Sequence, residues 1–459
     1  MVIKIDNQAS LYPTVRLPVP VLRQILARLS FPNPAYQEAQ KRGYWTGDLE
    51  REIMGYRIKG DTLIIPRGFT RQLVGILRWA GIQYHLEDRR RTLPPVDFKF
   101  QGELRDFQEE AVQAVLSRDF GTLTAPTGSG KTVMALALIA QRRQPALVVC
   151  HTKELIDQWT DRIGAFLGIP PREVGVIGGG KKLIGEKITV ALVQSLYKCA
   201  GEVAPHVGHL VVDECHRVPS RIFTEAVTAF DCRFMLGLSA TPWRRDGLSR
   251  LIFWGLGDLV HKIDAGALVN AGHVLEAEVI WRESSFTPTY DPSEEYSRML
   301  SELTRDPARN ALIADDVAQE AGNGGGVSLV LSDRKNHCKA LVELLAARGV
   351  TAVVLTGDLS SRDRQRVVED LNAGRVKVLV ATGQLIGEGF DCKEFFTLFL
   401  ATPIRFNGRL LQYLGRVLRP APGKEKAIVF DYVDSRVGVL ENAARERARV
   451  YGPQGGYHD

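Results

Sequence analysis

Two series of short, uninterrupted Val/Leu-rich runs constrain this chain more than any other feature. The first is TLTAP (122–126), ALVVCH (146–151), KITVALV (187–193), HLVVDE (209–214) and RFMLGLSAT (233–241). The second is VSLVLSD (327–333), TAVVLTGD (351–358), VKVLVATG (376–383), FTLFLATP (396–403) and KAIVFDYV (426–433). Helical patterns such as ELIDQWTDRIGAFLG (154–168) lie between them. Strands that alternate with amphipathic helices and show no polar face belong to parallel sheets covered on both sides. The chain therefore reads as α/β with two such sheets, and 459 residues exceed what one core organises.

The first series carries chemistry. TLTAPTGSGKTVMALALIA (122–140) is a strand, a glycine-rich loop and an apolar helix. Backbone N–H groups of Thr127, Gly128, Ser129 and Gly130 face phosphate oxygens in such a loop, and the helix N-terminus adds partial positive charge. Lys131 reaches the β- and γ-phosphates, and the Thr132 hydroxyl holds Mg²⁺. The strict pattern has glycine where this chain has Ala125, but Gly128 and Gly130 stand where the backbone must curl. HLVVDECHRV (209–218) ends a buried strand in Asp213 and Glu214. Asp213 suits Mg²⁺, and Glu214 suits orienting and deprotonating an attacking water. In the second series, QYLGRVLRP (412–420) sets Arg416 and Arg419 three apart, as arginines that stabilise charge on a transferring phosphoryl group.

Residues 1–98 read as a small α+β accessory domain. VLRQILARL (21–29) and TRQLVGILRWAG (70–81) have helical spacing, YRIKGDTLIIP (56–66) has a Gly60-Asp61 turn, and TLPP (92–95) looks like a linker. This fifth of the chain holds 15 Lys and Arg against 9 Asp and Glu, a net of +6 equal to that of the whole protein. The excess, with the run Arg89-Arg90-Arg91, suits a polyanion partner or a solvated surface. No apolar run is long enough for a membrane span, and MVIKIDNQAS has no signal-peptide character. The six cysteines form no CxxC pair, so neither a zinc site nor a disulfide framework is expected, and a reducing, cytoplasmic setting is.

Together these motifs resemble the superfamily 2 helicases over roughly residues 100–440. LRDFQEEAV (104–112) resembles the adenine-reading Q motif, which implies Arg105 and Gln108 at the base. APTGSGKT and DECH are the nucleotide motifs, and LSAT (238–241) implies Ser239 and Thr241, with His216, in coupling nucleotide state to the nucleic-acid track. ATGQLIGEGFD (381–391) implies Thr382 at a nucleic-acid phosphate and Gly389 and Asp391 at the nucleotide. QYLGRVLR implies Gln412, Arg416 and Arg419 at the γ-phosphate. CHTKELIDQW, ALVQSL and LVLSDR resemble nucleic-acid-contacting segments and implicate Thr152, Gln194, Ser195 and Arg334. Such small polar residues after strands suit sequence-independent phosphate and sugar contacts.

Asp213-Glu214-Cys215-His216 and Gln412-Tyr413 separate the chain from DEAD-box RNA helicases, which carry DEAD and His-Arg there. The chain has no room for the inserts of the RNA-sensor and Dicer-like branch, and no nuclease module of a restriction motor is evident. SATPWRRDGL (239–248), DPARNALIAD (306–315), RFNGRLLQYLGRVLRP (405–420), NPAYQEAQKRG (33–43) and LIIPRGF (63–69) are most similar to the UvsW/XPB-like group of DNA helicases. That group has Arg-Glu-Asp where this chain has Arg244-Arg245-Asp246, so Arg245 is assigned to gripping DNA.

The resemblance implies two RecA-like parallel-sheet lobes preceded by the accessory domain. The expected boundaries are 1–98 accessory, 99–265 first lobe, 266–305 connector, 306–445 second lobe and 446–459 flexible tail. It implies ATP and Mg²⁺ as cofactors and DNA as partner, single-stranded, forked or branched. RNA or R-loop remodelling, or a DNA-stimulated clamp subunit of a larger complex, are the other readings; no membrane is expected, and no protein partner is evident.

Overall fold

The runs of the first series form one eight-stranded sheet in the computed structural model, which describes residues 1–217, 220–241, 247–323, 326–383, 386, 395–404 and 407–451. From one edge the strands are Lys181–Leu183, Gly175–Gly178, Ile188–Leu192, Ala146–Cys150, His209–Val212, Phe234–Ser239, Phe120–Thr124 and Leu259–Lys262. All neighbours are parallel except the first pair. The three central strands Ile188–Leu192, Ala146–Cys150 and His209–Val212 are buried at every position, which is why they read as unbroken apolar runs. The pairing Ser239 with Thr124, Val212 with Gly237, and Leu192 with Cys150 sets the carboxyl ends of five strands side by side.

The chain divides into two units, one of residues 1–125 and 130–263, the other of 264–459 with the segment 126–129. Within the first unit the accessory residues build their own sheet, in the order Arg57–Lys59, Thr62–Pro66, Gln8–Tyr12, Val2–Ile5, His85–Asp88. The 56–66 hairpin forms as expected, with Gly60 at φ 57° in its turn. The helices Val19–Arg28 and Thr70–Trp79 pack together over Ile3, Ile5, Ala9, Leu11, Leu63 and Ile65.

The Arg89–Arg91 run has a role that charge counting does not reveal. Arg90 donates to Asp88 and, at 2.7 Å, to Asp119 just before the strand Phe120–Thr124; Arg91 grips Asp231 with two bonds of 2.9 Å. Arg67 is buried and donates to the Cys232 carbonyl at 2.7 Å. Burial pulls its pKa down. Gly68 sits so close to the helix Ser249–Leu256 that a Cβ would lie 2.2 Å from the Phe253 carbonyl oxygen. The TLPP segment is held too, because the Gln144 carboxamide accepts from Leu93 N and donates to Leu93 O. These arginines fasten the accessory domain to the sheet beside it.

The second unit holds a six-stranded, all-parallel sheet: Ala277–Glu283, Ala427–Val433, Phe395–Leu400, Val327–Ser332, Val378–Thr382, Ala352–Leu355. Five of these strands are the runs of the second series. The sixth, and the helix Tyr296–Leu303, fall in the segment read as a connector. Glu278, Arg282 and Glu283 break this edge strand's apolar run, so it lacks the continuous signal. The expected tail also needs correction. The last helix runs Gly438–Tyr451, and Arg447 within it is buried in a paired contact with Asp431 at 2.8 and 2.6 Å. Residues 452–459 lie outside the described residues. A second buried pair, Arg309 with Asp434 at 2.9 Å, anchors the helix Pro307–Gly322.

Candidate active site

The loop after the strand Phe120–Thr124 turns twice through glycine, with Gly128 at φ 89° and Gly130 at φ 84°. Gly130 starts the helix Lys131–Arg142, and no side chain caps that helix. Its first N–H groups and its dipole are therefore left for an anion. A Cβ on Gly130 would meet Gln108 Nε2 at 2.4 Å. Gln108 Oε1 accepts from Arg105 N at 3.0 Å, starting the helix Asp106–Leu116. The two Q-motif residues thus form one cap, and Gln108 braces the phosphate loop. The Thr127 hydroxyl oxygen is buried without a hydrogen-bond partner.

Lys131 Nζ donates to Ala125 O at 3.0 Å and lies 3.9 Å from Glu214 Oε1. Asp213 and Glu214 follow the strand His209–Val212. Asp213 Oδ1 accepts from Glu214 N at 2.9 Å, and its Oδ2 accepts from Trp159 Nε1 at 2.9 Å. Burial, then the charge of Glu214, raises the Asp213 pKa. Burial acts the same way on Glu214, but Lys131 and then His216 hold its carboxyl below the usual range, so it stays ionised. Glu214 has φ 44°, a left-handed conformation that costs a non-glycine residue about 1–2 kcal/mol. Its Oε2 is buried and accepts no hydrogen bond. An ionised carboxylate with an empty acceptor position suits taking a proton from water.

From Glu214 a polar line crosses the sheet. His216 Nδ1 lies 3.3 Å from Glu214 Oε2 and 2.8 Å from Ser239 Oγ. Ser239 donates to the Thr241 carbonyl and accepts from Thr241 N at 3.0 Å. Ser239 therefore accepts from His216, which places the imidazole proton on Nδ1. The three residues assigned to coupling are joined by hydrogen bonds.

These residues fit a nucleoside triphosphate: an uncapped helix N-terminus, an ammonium and two carboxylates converge. Mg²⁺ also fits, and Asp213 with the Thr132 hydroxyl could hold it. Each Asp213 oxygen keeps lone-pair capacity beyond its one donor, and no three His, Cys, Asp or Glu side chains among the described residues gather to cage a metal. A cation held by one or two protein oxygens and substrate phosphates is the usual Mg²⁺ arrangement.

The residues assigned to nucleic acid lie at strand ends. Thr152 caps the helix Lys153–Leu167 by accepting from Leu155 N at 3.4 Å. Exposed Gln194 donates to His151 O at 3.5 Å, with half-buried Ser195 beside it. In the second unit Thr382 ends its strand opposite Ser332, and Arg334 donates to Ser297 O and Oγ at 3.3 and 3.1 Å. Gln412 and Arg416 are buried on the helix Asn407–Val417, and Arg419 follows its end. Gly389, Asp391 and Arg245, with Trp243, Arg244 and Asp246, lie outside the described residues. Trp159 and His151 were not singled out by sequence. Both ring nitrogens of His151 are buried without a hydrogen bond, and burial, then Arg217, lowers its pKa to about 4.

A phosphate loop, a carboxylate pair at the end of the next strand but one in the sheet and a hydrogen-bonded path beside it define a nucleoside-triphosphate hydrolase. Residues 101–244 match a family described as "Type III restriction enzyme, res subunit", and residues 310–421 match the helicase conserved C-terminal domain. "Probable helicase D10" of Escherichia phage T5 is 29% identical over 380 residues, covering 82% of this chain and 81% of the relative. The DNA 3'-5' translocase XPB2 of Sulfurisphaera tokodaii is 27% identical, covering 72% and 81%. The fold is similar to S. cerevisiae Dbp5 bound to RNA and ADP BeF3, with a TM-score of 0.53 at 15% identity, over 76% of this chain and 87% of that one. The chain belongs to the superfamily 2 helicases and is an ATP-hydrolysing enzyme of that class. No helix among the described residues is long and apolar enough to cross a membrane.

Proposed function

We propose that the protein is an ATP-driven DNA helicase or translocase acting on forked or branched DNA in recombination, repair or mobile-element DNA metabolism. The observation that carries the reading is the hydrogen-bonded line His216–Ser239–Thr241, which begins with His216 Nδ1 3.3 Å from Glu214 Oε2, because it runs from the hydrolytic carboxylate towards the strand ends where nucleic acid would run. Lys131 and the N–H groups of residues 128–132 would hold the phosphates. Mg²⁺, held by Thr132 and Asp213, would neutralise charge on them. Glu214 would take the proton of the attacking water, and Arg416 and Arg419, carried by the second unit, would stabilise the transferring phosphoryl group. Arg105 and Gln108 would face the adenine. Thr152, Gln194, Ser195, Arg334 and Thr382 would contact the sugar–phosphate backbone, where sequence-independent contacts suit a motor. The similarity to an XPB-type translocase named for DNA supports DNA over RNA.

The test is ATPase rate without nucleic acid, then with single-stranded, duplex and forked DNA and with RNA, using Glu214→Gln as the blank. Stimulation greatest with forked DNA is expected. Equal or greater stimulation by RNA would move the protein to RNA remodelling. Stimulation without unwinding of a labelled fork would leave a clamp.

A further inference from the structure

With Arg67, Arg90 and Arg91 turned inward, the basic excess of the accessory domain concentrates elsewhere. The helices Val19–Arg28 and Thr70–Trp79 contain no acidic residue. Exposed on them are Arg23, Arg28, Arg71 and Arg78, and the turn leading into the first ends at exposed Arg16. None of these five forms an ion pair among the described residues, whereas Arg42, Arg89, Arg90 and Arg91 of the same domain all do. Arg78 instead donates to the Tyr84 hydroxyl at 2.9 Å. Along the second helix Gly75 lies four residues after Arg71, Arg78 three after Gly75 and Trp79 four after Gly75, so the four share one side of the helix. Nothing lies within 4 Å of a Cβ on Gly75, so the backbone between the two arginines is open to close approach. At the end of the stripe Trp79 is 83% exposed, an unusual state for so large an apolar ring.

We propose that this two-helix face is a DNA-binding site: the five arginines hold the phosphates of a duplex arm, and Trp79 stacks on the first unpaired base where that arm forks. Unpaired arginines match a polyphosphate and oppose an acidic or apolar partner. An exposed indole adds affinity only for a ligand with a free π-face, and an intact duplex offers none along its length. The inference rests on the DNA-motor reading and names the surface by which that motor would select forks.

The test measures binding of the full chain to a labelled fork and to a blunt duplex of equal length, by anisotropy across about 50–200 mM salt. Arg23→Gln/Arg71→Gln/Arg78→Gln should flatten the slope of log affinity against log salt by about 3, since each phosphate contact contributes about 0.9. Trp79→Ala should leave that slope unchanged and lower the preference for fork over duplex by about tenfold. Arg42→Gln, which removes a charge paired with Glu38, should change neither. Melting temperatures equal to that of the unaltered chain show that each variant folds. A triple variant with an unaltered slope, a Trp79→Ala variant with unaltered fork preference, or RNA duplex bound as tightly as DNA each overturns the proposal. If no DNA stimulates the ATPase of the unaltered chain, the motor reading itself has failed. If DNA stimulates it and the variants bind normally, only this face has.

Discussion

Trp159→Phe separates the support of Asp213, the carboxylate proposed to hold Mg²⁺, from its packing. Trp159 is 1% exposed, lies on the helix Lys153–Leu167, and donates its indole N–H to Asp213 Oδ2 at 2.9 Å. Phenylalanine keeps most of the ring volume and removes the donor. A hydrogen bond to a charged group contributes about 1.5–3 kcal/mol, or roughly 10- to 150-fold. Loss of a partner that orients a metal ligand costs about 10–100-fold in metal affinity. Without its indole donor the already raised Asp213 pKa rises further, because that bond is among the groups holding it down. The expected outcome is a half-saturating Mg²⁺ concentration raised about 10–100-fold in the ATPase assay, with kcat largely recovered at saturating Mg²⁺. An unchanged Mg²⁺ midpoint together with a lowered melting temperature would refute the reasoning and leave Trp159 as a core residue only.

Further outcomes are expected elsewhere in the fold. Gly130→Ala places a Cβ 2.4 Å from Gln108 Nε2 at φ 84°, so its stability cost should be smaller in a Gln108→Ala background by ~0.5–3 kcal/mol, measured by a double-mutant cycle. A chain ending at Arg445 should be less stable to urea by roughly 3–5 kcal/mol, because Asp431 is left buried without Arg447; equal stability would restore the tail reading. His337 is buried between Ser332 and Asn310, and burial, then Arg309, lowers its pKa to about 3 from the ordinary 6.5. A depressed folded-state pKa gives stability that is complete above 6.5 and lost as pH falls towards 3. Acidification from neutral pH should therefore lower the melting temperature of the unaltered chain more than that of His337→Gln.

What the sequence makes legible follows from how local each interaction is. The phosphate loop and Asp213-Glu214 are contiguous, and mostly buried strands are written as apolar runs, the half-buried edge strand Ala352–Leu355 among them through its Val and Leu content. His216, Ser239 and Thr241 are visible as motif members, but their hydrogen-bonded order is not, because it depends on which strands are neighbours. Trp159 reads as an ordinary apolar position on an amphipathic helix, and its partner is 54 residues away. The same distance effect hides the Arg90 and Arg91 partners, 29 and 140 residues on, so an internal fastening reads as a surface charge run. Arg447 sits in a charged stretch that resembles a solvated end until Asp431 is seen behind it. The edge strand Ala277–Glu283 is missed because Glu278, Arg282 and Glu283 break its apolar run, two of them exposed at the open edge of the sheet.

The bonds of Arg67, Arg90 and Arg91 also bear on how such a protein can be rearranged. The accessory domain has its own sheet and core, so it looks transplantable as a module. Its attachment is written half in the module and half in the recipient: Asp119, Asp231 and the Cys232 carbonyl belong to the motor. A chimaera that carries residues 1–98 onto another motor would bring three arginines, one of them buried, without the acceptors that Asp119, Asp231 and the Cys232 carbonyl supply here. Grafting the module would therefore mean grafting those two aspartates with it, and a lineage that acquired a new accessory domain would have had to acquire its sockets at the same time.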